Sequence, residues 1–177
     1  MTMQNIAAAM QRTESVLRRR PAIAIQEDAP ATARWQGGLR VVSSHANGTS
    51  VSTDLSTGLG GTGDQVSPGW LMRAGLASCA AASIVLGAAA AGIEIASLEV
   101  VARSRSDTRG LLGMTGDDGL PIEPSPCEIQ LFVRIAAHGV SDDRQRTLVE
   151  ESLRRSAVPR ALQCAMPLEL SIEIEAA

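Results

Sequence analysis

Of the side chains able to do chemistry, Cys79 stands in the most suggestive setting. It lies inside an uncharged run, Ala74 to Ile93, built mainly of Ala, Gly and a few large aliphatics. A thiol is nucleophilic as its thiolate, so a reactive cysteine needs a helix N-terminus or a cation beside it. Pro68 suits a first helical turn, but it precedes Cys79 by eleven positions, too many for that end to reach the sulfur. Arg73 is six positions earlier, about 240° round a helix, on another face. An activating group must therefore come from elsewhere in the chain. Otherwise Cys79 is a small buried hydrophobe, the usual state of a free thiol. The local residues leave both readings open.

The remaining chemistry-bearing residues narrow the choice. Cys127 and Cys164 lie 48 and 85 positions beyond Cys79; an odd count without CxxC spacing argues against a disulfide framework and a zinc knuckle. His45 and His138 are far apart and lack metal-ligand spacing. No G-x-S-x-G nucleophile elbow occurs. Asp117-Asp118 and Asp142-Asp143 read as loop solvation and helix-start charge. Residues 58–63, GLGGTG, match the dinucleotide-binding glycine pattern by letter, but that motif needs a helix opening at once and an acid about twenty residues on. A flexible loop leading to the Pro68 helix is expected instead.

The elements that must hold Cys79 can be read from pattern. A helix is expected over 3–20, closed by Arg18, Arg19, Arg20 and Pro21, with a Pro/Ala connector over 21–30. Two or three short strands are expected over 31–55, broken at Gly37-Gly38 and at Asn47-Gly48, a strong hairpin signal. The Pro68 helix comes next, then an alternating strand around Leu98, Val100 and Ala102. A loop over 106–126, with six Gly or Pro residues before Pro126 closes it, leads to a second alternating strand, 128–135; a loop that long is usually functional or mobile. Ser141 caps a second helix with Leu148, Val149, Ser152 and Leu153 facing inward, and Pro159 is expected to end it. Leu168 to Glu175 alternates Leu/Ile with Glu/Ser and reads as a half-buried last strand.

This order predicts an α+β fold with antiparallel pairs and helices on one face. At 177 residues the chain is long enough for a real core, burying roughly 70% of its unfolded surface. Two parts are expected: an N-terminal helical extension and connector, 1–30, and one domain, 31–177. Nucleic-acid binding is poorly supported: net charge is −3, no basic block occurs, and Trp35, Trp70 and Phe132 are the only aromatics. The uncharged run has the length of a membrane span, but Ala and Gly bury little apolar area, so a core helix is expected and no membrane partner. No secretory signal is visible, and cysteine usage suits a reducing cytoplasm. Too apolar to face water, the helix predicts a homodimer in which a second subunit covers it.

The segment Pro68-x-x-Leu71-Met72-x-Ala74-x-x-Ala77-Ser78-Cys79, placed after a Gly-rich loop, resembles the central helix of the OsmC/Ohr family. The order of the later segments resembles it too: Gly92-Ile93 into a strand, Ser106-Asp107-Thr108-Arg109-Gly110 in a loop, a strand, an amphipathic helix, and Ser156-Ala157-Val158-Pro159 before the last strand. The resemblance spans about 31–175. It implies an intertwined α+β homodimer with the central helices at the interface. It also implies a peroxidatic cysteine, Cys79, that reduces organic hydroperoxides in oxidative-stress defence, with an external thiol or dithiol as reductant and no bound cofactor or metal.

Within that resemblance, an Arg from the N-terminal strands and a Glu just after the helix-starting Pro hold the thiolate, and a second cysteine resolves the sulfenic acid. Arg40 is the candidate cation. Gly69 occupies the Glu position and Ser156 the second-cysteine position, so Arg40 is expected to lack its usual anchor. Cys164 is the candidate replacement resolving thiol, against the plainer reading of a buried cysteine entering the last strand. These departures keep a second function in view: a catalytically impaired protein of the same fold that binds a small apolar ligand.

Overall fold

A computed structural model describes residues 2–164 and 166–175; the ends of the expected domain, 176 and 177, and residue 165 lie outside that description. Its spine is helix α2, Pro68–Ala90. The Ser67 hydroxyl accepts the Trp70 N–H and Pro68 occupies the first turn, which together satisfy orphan donors at the helix start. At the other end Gly92 takes φ +66°, and the Ile93 N–H returns to the Ala88 carbonyl at 2.9 Å. This left-handed closure favours glycine. Leu76, Ala80, Ile84 and Ala88 are buried, and their spacing of four puts them on one stripe. Trp70 and Leu86, by contrast, are 47% and 45% exposed. The helix is therefore not enclosed within a single chain.

Against α2 pack strand β4, Ile95–Arg105, which pairs antiparallel with β5, Cys127–Ala137, and helix α4, Asp142–Leu153. Ala88, Ile93 and Leu148 form the core cluster, with Ile95, Ile135, Ala137 and Val140 packed around it. The Ser141 hydroxyl accepts the Arg144 N–H, with Asp142 and Asp143 in the first turn, as the cap pattern predicts. Gln145, Leu148 and Ser152 are the buried face of α4, while Val149 and Leu153 are half-buried. Gly87 lets α4 approach closely: a Cβ there would lie 2.3 Å from the Ser152 Oγ.

The N-terminal strands β1, Thr32–Trp35, β2, Val41–Ser44, and β3, Ser50–Thr53, form a separate antiparallel meander. Its turns use Gly37, Gly38 and Gly48 at positive φ, where a Cβ would be strained. Before it, helix α1, Met3–Arg19, ends with Arg18 and Arg19 in the last turn and packs on α2. The fold is α+β, as the pattern of elements predicts.

Three segments depart from expectation. The second helix ends at Leu153, and Pro159 does not terminate it; Pro159 is buried in the first turn of a separate helix, α5, Ala157–Gln163, where a missing N–H costs nothing. The 106–126 loop is structured by a short helix, α3, Thr108–Leu111, and a Thr115–Pro121 bridge. Finally, Leu168 to Glu175 forms no ladder among the described residues, and Leu168, Leu170, Ile172 and Ile174 are 95%, 81%, 74% and 92% exposed. The alternation that predicts a half-buried strand is present, but no described sheet edge of the same chain receives it.

Candidate active site

Cys79 sits midway along α2, partly buried, and faces the start of α5. Its Sγ lies 3.3 Å from the Ser156 Oγ, and the Val158 N–H donates to it at 3.5 Å. Ser156 and Val158 are more than seventy positions from Cys79 in sequence and meet it because α5 packs across α2. The Ser156 hydroxyl, followed by the Val158 N–H and then the Ala157 N–H, pulls the thiol below its ordinary pKa, against an upward push from burial. Hydrogen bonds to the anion stabilise thiolate over thiol. The activating group that the sequence requires from elsewhere is thus a hydroxyl and backbone N–H groups at the opening of α5, with no cation bonded to the sulfur among the described residues.

Arg40, the candidate cation, follows the β1–β2 turn and is held in a different cluster. Its guanidinium donates to the Thr62 Oγ1 at 2.7 Å, to the Asp54 Oδ2 at 3.3 Å and to the Asp64 Oδ1. No hydrogen bond joins Arg40 to Cys79 among the described residues. Arg40 nevertheless has its carboxylate anchors. Gly69 supplies none; Asp54, just after β3, and Asp64, just after the glycine stretch, pair with the guanidinium instead.

Asp54 is the residue that sequence reasoning missed. It is 3% exposed. Its carboxylate accepts the Thr62 hydroxyl at 2.6 Å, the Leu55 N–H at 2.7 Å and the Thr62 N–H at 3.2 Å. The Thr62 hydroxyl first, then the Leu55 and Thr62 N–H groups and Arg40, hold its pKa down to about 2. The 58–63 glycine stretch is thereby pinned, where composition predicts a flexible approach. Gly61 is required there: a Cβ would lie 2.1 Å from the Leu55 carbonyl oxygen. The only sequence signal is an acid preceding a glycine-rich loop, which is common in turns.

Cys164 caps the far end of α5 and is exposed, as is Cys127. It is eight residues beyond Ser156, roughly 12 Å along a helix at 1.5 Å per residue. A disulfide needs Cα atoms within about 7 Å, so the structure does not bring Cys164 to the Cys79 of its own chain. Nor is it the buried strand-entry cysteine of the plainer reading.

Known proteins share both this architecture and the span that holds the site. The family model described as OsmC-like protein matches residues 61–171, which include Cys79, Ser156 and Val158. No curated protein sequence matches the chain. Among solved structures, an OsmC-like protein from Mycoplasma pneumoniae is similar at TM-score 0.64 and 19% identity, covering 79% of this chain and 90% of that one. An organic hydroperoxide resistance protein from Elizabethkingia anophelis gives 0.54 and 22%, covering 79% and 91%. The organic hydroperoxide resistance protein OhrB of Bacillus subtilis gives 0.51 and 19%, covering 78% and 92%. Such identities speak for the fold alone, but the family match extends over most of the chain and through the Cys79 site. The chain belongs to the OsmC-like protein family.

Proposed function

We propose that this protein is a thiol-dependent peroxidase that reduces organic hydroperoxides through Cys79, acting as a cytoplasmic homodimer in oxidative-stress defence. The observation that carries the reading is the convergence of the Ser156 hydroxyl and the Val158 N–H on the Cys79 sulfur. Two of the similar structures are described as organic hydroperoxide resistance proteins, which supports the substrate class.

In this reading the Cys79 thiolate attacks the terminal, hydrogen-bearing oxygen of the peroxide. An S–O bond forms, the O–O bond breaks, and the departing alkoxide takes a proton from water and leaves as an alcohol. Sulfur loses two electrons and becomes a sulfenic acid. A small-molecule thiol then forms an S–S bond to Cys79 with loss of water. A second thiol group displaces Cys79 as a free thiol and leaves the reductant as its disulfide. Cys79 therefore works as a one-cysteine centre: Ser156 occupies the adjoining position, and Cys164 lies a helix length away.

The homodimer is part of the proposal. The accessible surface is 13308 Å², against about 8,200 Å² for a compact monomer of 18.5 kDa. The excess needs only about half its area buried on each subunit to make an interface of obligate-dimer size. It includes the open face of α2 and the 168–175 segment. Arg40, bound to Asp54, Thr62 and Asp64, is proposed to act by holding the loop that leads into α2.

Purified protein given cumene hydroperoxide and a dithiol is expected to consume the peroxide, and Cys79→Ser to abolish consumption. Equal consumption by the variant sinks the reading. One observation favours a second function, binding of a small apolar ligand. An open groove of about 920 Å³ lies between α1 and α2; Ile6, Ala9, Met10, Ala82, Val85 and Leu86 line it, with Asn5, Arg12, Thr13 and Glu14 also in its wall. Cys79 is not part of its lining, so a bound apolar dye would be insensitive to Cys79→Ser.

A further inference from the structure

Among the described residues three serines stand at α-helix N-caps, and they do not behave alike. Ser67 and Ser141 each accept a backbone N–H three residues on, the ordinary use of a serine at that position. Ser156 has the extended backbone of an N-cap, φ −82° and ψ 122°, yet makes no capping bond. It is fully buried, at 0% exposure, where a hydroxyl without a partner is costly. Its one side-chain partner among the described residues is the Cys79 Sγ, at 3.3 Å. The Val158 N–H, which a capping hydroxyl would ordinarily take, also goes to that sulfur. The helix opening has thus exchanged its own cap for a thiol brought from α2.

Either atom of the Ser156–Cys79 pair can donate while the sulfur is a thiol. Once it is a thiolate, only the hydroxyl can, and the thiolate then takes over the capping acceptor's role toward Val158. We propose that Ser156 is a positioning residue for Cys79: its hydroxyl, released from capping α5, donates to the sulfur, holding it anionic and aimed at the start of α5. This rests on the reading of Cys79 as a working thiolate. It adds that the position where the resemblance expects a resolving thiol has become a holding position.

The test uses the full chain with Cys127→Ser and Cys164→Ser, leaving Cys79 as the one thiol. The rate of iodoacetamide alkylation is followed from pH 5 to pH 10, with and without Ser156→Ala. Loss of the hydroxyl is expected to move the midpoint to higher pH and slow alkylation at pH 7 by about threefold or more, with the high-pH plateau unchanged. A raised plateau at an unchanged midpoint means that Ser156 merely packs, and overturns the proposal. So do superimposable profiles.

A second variant checks the contact itself. Ser156→Cys treated with diamide is expected to form a 79–156 disulfide, mapped by peptide mass and reversed by dithiothreitol. Its absence from folded protein overturns the juxtaposition on which the proposal stands. Neither measurement uses a hydroperoxide. Failure of peroxide turnover therefore strikes the proposed function, and failure of these strikes the role of Ser156.

Discussion

At the scale of single residues, two acidified groups carry the chemistry and the order of the site. Cys79 owes its lowered pKa to neutral donors, Ser156 and the N–H groups of Val158 and Ala157, so its thiolate fraction should vary little with salt. Bonds at contact distance are not screened as exposed charges are. Alkylation of Cys79 at pH 7 is expected to stay within about twofold between low and high ionic strength; a steep fall with salt would point to a distant cation instead. Asp54 is the structural counterpart. Its folded pKa of about 2 lies below the ordinary 3.8, so it contributes stability above pH 4 and loses that contribution as pH falls from about 4 towards 2. Asp54→Asn is expected to melt below the parent at pH 6, with the gap narrowing through that window in calorimetry. A gap that persists undiminished to about pH 2 would mean that the side chain matters through shape alone.

At the scale of elements, the site depends on how closely helices approach α2. Gly87 permits the α4 contact, and a Cβ there would meet the Ser152 Oγ at 2.3 Å and the Leu148 Cδ1 at 3.2 Å. Alanine favours a helix interior over glycine by roughly 1 kcal/mol, but forcing volume into a packed contact costs about 1–3 kcal/mol. Gly87→Ala is therefore expected to be net destabilising, by up to about 2 kcal/mol in urea titration, and Ser152→Ala to recover part of the loss. The Ser152 hydroxyl is buried without a hydrogen-bond partner among the described residues, so its removal alone should cost little. Ile84, fully buried on the α2 stripe, is the contrasting case: Ile84→Ala is expected to cost about 2–5 kcal/mol.

At the scale of the whole molecule, apolar surface left open by one chain asks for a second. The segment 168–175 presents four large aliphatics to water and joins no described ladder, a combination that soluble proteins cover or pair. Sedimentation velocity at micromolar concentration is expected to show a dimer, and truncation after residue 166 to weaken it into monomer or aggregate. A monomeric full-length protein would remove the homodimer from the proposed function. The helix α2 passes a length and hydropathy test for membrane spanning, with only 22% of its apolar window buried in one chain. The proposed dimer interface would account for the same exposure.

Much of this is legible in the residues. Capping serines, the Pro68 start, the Gly92 stop and strand alternation are local signals, and they specify α2, α4, β4 and β5 because hydrogen bonding and burial act over a few residues. The chemistry of Cys79 is legible as a possibility, and the order of motifs around it as a family likeness. What the sequence does not supply is who reaches the sulfur, because that depends on contacts across more than seventy positions. Ser156 is visible as a missing cysteine but not as a hydrogen-bond donor, and Arg40 has no visible anchor until Asp54 and Asp64 close around it. Local pattern also misreads Pro159 as a stop and places Leu168 to Glu175 in a sheet. Periodicity tells which face of a segment is apolar; only tertiary structure, and for that last segment a proposed second chain, decides what covers it.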